Sequence, residues 1–170
     1  MAGWMAVSTE VVIAISAVVV SVVSLFVAVS TLSTQRKHNK LSLKPIAHFS
    51  KGDYDDLVFV SVKNNGIGPL IIDEFSVVNG GGVFNRLIDS FGYLAGETVW
   101  DGFADNINGR VLAPGDEFVL IKVSFDSAQG VLKTAIRSSL ASTVLLLAYR
   151  SVYDEVQPPI MYWLEWFARH

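Results

Sequence analysis

With 170 residues, 13 Lys and Arg against 16 Asp and Glu, and no cysteine, the chain has room for one ordinary domain and a short appendage. The missing thiols exclude disulfide frameworks, thiolate nucleophiles and zinc–thiolate centres, and a formal charge of −3 runs against a phosphate-binding footprint. Mean hydropathy is positive, which is uncommon for a soluble domain; the excess sits in the first 32 residues, whose one charge is Glu10.

Residues 1–10, MAGWMAVSTE, are expected to form a short extracytoplasmic N-terminus, with Trp4 and Met5 at an outer interface and the Trp as aromatic anchor. From Val11 to Leu32 run 22 uncharged residues, 14 of them Val, Ile, Leu or Phe. A helix rising about 1.5 Å per residue would reach roughly 33 Å here, enough for a hydrocarbon core of about 30 Å. The apolar side chains favour insertion by roughly 4–8 kcal/mol, and the Ser and Thr hydroxyls can bond to carbonyls one turn back. A cleaved signal peptide calls for a basic start and an apolar run of about 7–15 residues. The start here is not basic and the run is longer, so the reading is a transmembrane helix over 11–32.

Within that helix Ala14, Ala17, Ser21, Ser24, Ala28 and Thr31 recur three and four residues apart. Small side chains in such a seam let two backbones approach closely in lipid, and a period near 3.5 favours left-handed pairing. The expected partner is a second copy or another membrane protein. Residues 33–44 then read as a juxtamembrane linker carrying Arg36, Lys37, Lys40 and Lys44, whereas no Lys or Arg precedes the helix. Basic flanks stay on the cytoplasmic side. The expected localisation is therefore the inner membrane, single-pass, N-terminus outside, with the basic flank against anionic headgroups of the bilayer.

Residues 45–170 change character. Strand-length, β-branched and aromatic runs occupy 57–64, 70–78, 117–125, 143–153 and 159–168, after an extended start near Pro45. Turn signals separate them at Lys51-Gly52-Asp53, Asn64-Asn65-Gly66, Asn79-Gly80-Gly81-Gly82, Pro114-Gly115-Asp116 and Asp154-Glu155. Two segments read as helical, Val83 to Phe91 and Ser127 to Leu140; in the second, Val131, Leu132, Ala135, Ile136 and Leu140 form one face, with Lys133 and Arg137 on the other. The pattern predicts a mainly β, antiparallel sandwich or small barrel with one or two short helical insertions. Near the end, Trp163 and Trp166 stand three apart, so on a strand they point to opposite faces. That describes either a final strand buried on both sides or a docking surface with one Trp exposed. Tyr149, Tyr153 and Tyr162 are expected to pair across the last hairpin.

Two turns carry a resemblance. The stretch VKNNGIGPLIIDEFSV, Val62 to Val77, and the later VLAPGDEFVLIKV, Val111 to Val123, look like the N-x-G-x-G-P and L-x-PG-[DE] turns of bacterial immunoglobulin-like β-sandwich domains. They cover under a fifth of the chain. Gly66 and Gly68 are expected to take up positive φ, Pro69 to fix the start of the next strand, and Pro114-Gly115 to form a type II turn. The resemblance implies an immunoglobulin-like fold and carries no catalytic residues.

The residues that could do chemistry are few. The histidines are His38, His48 and His170, and no G-x-S-x-G elbow accompanies them. Asp53, Asp55 and Asp56 offer oxygen ligands of the kind Ca²⁺ takes, but KGDYDD also reads as a solvated hairpin turn, the reading preferred here. Asn79 to Gly82 lacks the Lys and Ser/Thr of a phosphate loop and is expected to be flexible. From Leu41 onward 15 acidic residues face 10 Lys and Arg, near −5, so nucleic acid is not an expected partner. No catalytic, metal or cofactor site is predicted. The leading expectation is a non-enzymatic, membrane-anchored interaction module. The alternative is a membrane effector whose β-domain senses a ligand while its helix oligomerises and breaches the bilayer. In architecture it resembles small anchored effectors of bacterial anti-phage systems.

Overall fold

The structure is a computed structural model that describes residues 8–169; Trp4, Met5 and His170 lie outside the described residues. The chain divides after Leu41 into two compact units, of which the first is helix α1, Thr9–Ser42. This helix is long and apolar enough to cross a membrane, with no part of its apolar stretch buried against protein. Ser16, Ser21 and Thr31 each donate a hydroxyl to the carbonyl four residues back, at 2.8 Å, so their polar groups are satisfied inside the helix. In the expected juxtamembrane segment at 33–44 the helix runs on through Arg36, Lys37 and Lys40 to Ser42. It stops there because Pro45 biases the residue before it, Lys44, away from helical geometry.

The second unit, from Ser42 on, is mainly β. Nine strands among the described residues form two antiparallel sheets. The first has the order β1 (Ala47–Asp53), β2 (Leu57–Asn64), β7 (Glu117–Ser124), β5 (Gly102–Phe103). The second has β4 (Gly82–Phe84), β3 (Leu70–Asn79), β8 (Val144–Arg150), β9 (Ile160–Trp163), with β6 (Val111–Leu112) also on β3. Alternate residues of both sheets enter one core: Phe49, Val58, Val60 and Val62 from the first, Ile72, Phe75, Val77, Leu145 and Leu147 from the second. Helix α2 (Leu94–Glu97) is a single turn; helix α3 (Gly130–Ala141) adds Ile136 and Leu140 to the core, and the closing 3-10 helix (Glu165–Arg169) adds Phe167.

The two turn motifs are joined through one side chain. Asn64 is fully buried, and all four hydrogen-bonding positions of its amide are used. Its Oδ1 accepts from the Ile46 N–H at 3.3 Å and the Gly66 N–H at 2.9 Å, and its Nδ2 donates to Gly68 O at 2.8 Å and Leu112 O at 3.1 Å. Its backbone carbonyl accepts from Gly115, and its N–H donates to Asp116 O. Gly66 and Gly68 are required for a different reason than expected. Neither has positive φ; a Cβ on Gly68 would lie 1.8 Å from Leu43 O, and one on Gly66 2.5 Å from Lys44 O and Ile46 N. Gly115, by contrast, has φ +83° with Asp116 N–H bonded to Ala113 O, the type II turn expected of Pro114-Gly115.

Four further expectations are corrected. Asn79 to Gly82 is a two-residue hairpin in which Asn79 pairs with Gly82 and both Gly80 and Gly81 have positive φ, as a type I′ turn demands. That hairpin draws Gly82–Phe84 into β4, so Val83 to Phe91 holds a strand and a short 3-10 turn, Ile88–Phe91, in place of a helix. In α3 the expected apolar face holds at Ile136, Leu140 and half-buried Leu132 and fails at its edge. Val131 is 87% exposed, whereas Lys133 and Arg137 turn inward; at about 100° per residue Lys133 lies only 60° from buried Ile136. Finally, the regular pairing of β9 ends near Trp163: Leu164, fully buried, makes a last rung through its N–H to Thr143 O, and Phe167 N–H then bonds to Leu164 O as the closing 3-10 helix begins.

Candidate interaction surface

The second sheet has two faces of unlike use. Inner positions fill the core; many outer positions are also apolar, and among the described residues they are not part of the core packing. The register aligns them. Val83 of β4 pairs with Val78 of β3, Val78 with Val144 of β8, and Val144 with Trp163 of β9, so one row crosses four strands. The next row is Ser76, Leu146 and Met161. A third begins with Glu74 opposite Ala148, and Pro159 closes it: Glu74, Ser76, Leu146, Leu147, Ala148 and Pro159 line a groove of about 310 Å³. Val83 is 70% exposed, Met161 51% and Trp163 52%.

Charge on this face is sparse. Arg150 is held by Asp73 at 3.2 Å and Asp154 at 3.5 Å. Glu74 is exposed and, among the described residues, has no ion pair or hydrogen bond. It is therefore an uncompensated carboxylate at the end of an apolar floor.

The expected docking pair splits. Trp163 lies on this outer face, while Trp166 is in the closing 3-10 helix and not on a strand. There Trp166 sits half-buried against Phe167, with its ring 5.4 Å from Lys51 Nζ. Lys51 also donates to the Tyr162 hydroxyl, with its ammonium 4.7 Å from that ring, and Tyr162 stacks on Phe49 of the opposite sheet at 5.2 Å. The expected tyrosine pairing across the last hairpin is thus corrected: Tyr162 faces Leu145 in register, and Tyr149 is buried opposite Ile72.

The acidic cluster is likewise dispersed. The Asp53 carboxylate, 5% exposed, meets Lys133 Nζ at 3.2 Å and Arg137 Nε at 3.0 Å. Lys133 also donates to Tyr54 O at 2.6 Å, which ties the β1–β2 turn to α3. Asp55 and Asp56 remain exposed. Asp53 thus belongs to a buried charge clasp, whereas Asp55 and Asp56 stay at solvated positions as expected of the turn. Among the described residues no group of three or more His, Asp or Glu is arranged to hold a metal. The Arg86 guanidinium is raised above the ordinary arginine range by its hydrogen bond to Asp89, by that carboxylate's charge, and by Asp105; the trio is solvent-facing and structural.

On α1, Ala14, Ala17, Ser21, Ser24, Ala28 and Thr31 stay exposed along the helix, as do Arg36, Lys37, Lys40 and, beyond it, Lys44. The outer row was missed because period-two reading marks only which residues enter a core. The available signal was that TVLLLAYR is apolar at both parities, the mark of a strand covered on two sides. No protein family, curated protein or solved structure matches the chain.

Proposed function

We propose that this protein is a membrane-anchored, non-enzymatic interaction module. Helix α1 spans the inner membrane once, and the β-domain, an immunoglobulin-like sandwich, faces the cytoplasm and engages a protein partner. The observation that carries the reading is the row Val83–Val78–Val144–Trp163, an apolar sheet face left open on a domain that already has a complete core. Isolated apolar residues on a surface are ordinary, but a contiguous patch in strand register is the usual mark of an interface.

Two features support the anchor and the fold. The apolar run exceeds a signal peptide's h-region and is followed by Arg36, Lys37 and Lys40 with no basic residue before it. The Asn64 amide draws the N-x-G-x-G-P and PG-D turns together, a shared structural role that supports reading both as fold-specifying turns.

The test is fractionation of cells expressing the full chain, followed by cross-linking mass spectrometry on intact membranes. The chain is expected to resist alkaline carbonate extraction, to retain residues 11–32 by intact mass, and to yield protein cross-links from its β-domain. Recovery in the high-speed supernatant without detergent, loss of the helix by cleavage, or a β-domain that links only to lipid would each refute the reading.

A further inference from the structure

The outer face of the second sheet has dimensions and charge that specify its occupant. Val144, Leu146 and Ala148 form a central column along β8, flanked by Val78, Ser76 and Glu74 on β3 and by Trp163, Met161 and Pro159 on the β9 side. Four residue steps at about 3.4 Å make this column roughly 14 Å long, which is about nine residues of α-helix at 1.5 Å each. An apolar sheet face is ordinarily covered by the apolar stripe of a helix.

Charge then selects among helices. Glu74 is the uncompensated group at one end of the floor, and the region from Leu41 onward carries 15 acidic against 10 basic residues. A second copy would bring a second net-negative domain, with its own Glu74, toward this face, and an anionic leaflet would meet the same repulsion. A cationic partner is drawn in and gains a hydrogen-bonded pair at Glu74.

We propose that this face seats an amphipathic helix of another protein, with apolar residues at i, i+3 or i+4, and i+7 over Val144, Leu146 and Ala148, and a Lys or Arg against Glu74. The inference rests on the interaction-module reading and names the class of partner. The open patch, on the order of 300 Å² of apolar area from half-exposed Met161 and Trp163 and most of Val83, is small against the roughly 800 Å² per partner of a standard interface. Such a contact is weak alone, and confinement of both partners to one membrane raises their effective concentration.

The experiment replaces Met161 in the full chain with p-benzoylphenylalanine, irradiates intact membranes and sequences the adducts; the same photoprobe at His48, exposed on β1 of the other sheet, is the control. Adducts at 161 are expected in helical segments of other proteins with Lys or Arg within about one turn of the linked residue, and absent from the His48 probe. Glu74→Gln should lower the yield two- to threefold and Glu74→Lys at least fivefold. A Lys→Glu or Arg→Glu change in the captured helix should restore it against Glu74→Lys. Near-UV circular dichroism, unchanged in both Glu74 variants, confirms folding. Adducts confined to lipid or to a second copy, adducts in acidic or extended segments, or a yield indifferent to Glu74→Lys would overturn the proposal. Protein adducts of the wrong class sink this inference alone; an absence of protein adducts anywhere on the β-domain sinks the interaction-module reading with it.

Discussion

Replacing Asn64 with Ala should be among the most damaging changes to this domain, although it removes only a small polar group. The side chain is fully buried, and its loss leaves the Ile46 and Gly66 N–H groups and the Gly68 and Leu112 carbonyls without their partner. A buried polar group left unsatisfied costs about 1–3 kcal/mol. Four such groups at the low end give about 4 kcal/mol, with water entering the vacated space offsetting some of it and holding the loss nearer the bottom of that range. Domain stability is typically about 5–15 kcal/mol, so the change removes a large share of it. For a domain of this size each kcal/mol moves the melting temperature by about 3–4 °C, predicting a fall of roughly 12–15 °C. The assay is a near-UV circular dichroism melt of the full chain in detergent micelles, since far-UV signal would be dominated by α1. Asn65→Ala is the matched control. Its side chain is exposed and has no hydrogen bond among the described residues, so the change should stay within about 0.5 kcal/mol. Melting of Asn64→Ala within about 3 °C of wild type, or equal losses from the two neighbours, would refute the hub argument.

Gly68→Ala should destabilise by at least about 2 kcal/mol, because the new Cβ falls 1.8 Å from the Leu43 carbonyl oxygen and backbone must move; Gly96→Ala, with nothing within 4 Å, should be neutral or slightly stabilising by urea titration. Asp53→Ala should cost about 3 kcal/mol by leaving Lys133 and Arg137 facing each other across a mostly buried clasp. Adding Lys133→Met and Arg137→Met should recover most of that loss, and a triple variant less stable than the single one would show that the clasp is not the cause. Ser21→Leu with Ser24→Leu should abolish disulfide-free chemical cross-linking between α1 copies in membranes by thickening the small-residue seam; undiminished cross-linking would reject self-association through that face.

How much of this was legible depends on where the deciding forces lie along the chain. Residues 57–64, the start of β3 at Leu70 and the start of β7 at Glu117 follow from alternation and turn chemistry, which are local. The end of β9 does not, because its last rung joins Leu164 to Thr143, 21 positions away, before the closing 3-10 helix takes over. The short strands β4, β5 and β6 escaped for the same reason: two or three residues carry no period, and their pairing is decided by β3 and β7. The inward turn of Lys133 and Arg137 needed knowledge that Asp53 lies across from α3. The seam residues were legible as a pattern, but a pattern on a helix whose described residues are all unburied defines a face without defining what meets it.

The stability devices and the open face of this domain fall on different residues, and that separation is an argument about function. Asn64 and the Asp53 clasp lie in the inter-strand turns and against α3, while the core draws on the inner parity of β3 and β8. None of them uses Val83, Met161, Trp163 or Glu74. A residue that only stabilises a sheet gains nothing from being half exposed on its outer side, where a polar side chain would keep the strand paired and reduce the tendency to aggregate. Apolar side chains in register across four strands are therefore a cost in the free monomer, and a covering partner is what offsets it. Polar replacement there should separate the two roles: Val83→Thr with Trp163→Thr, each on an edge strand and β-compatible, should leave the melting temperature within about 3 °C while eliminating capture by the photoprobe at position 161. A fall in stability as large as that of Asn64→Ala would show instead that the outer row is part of the fold's own support.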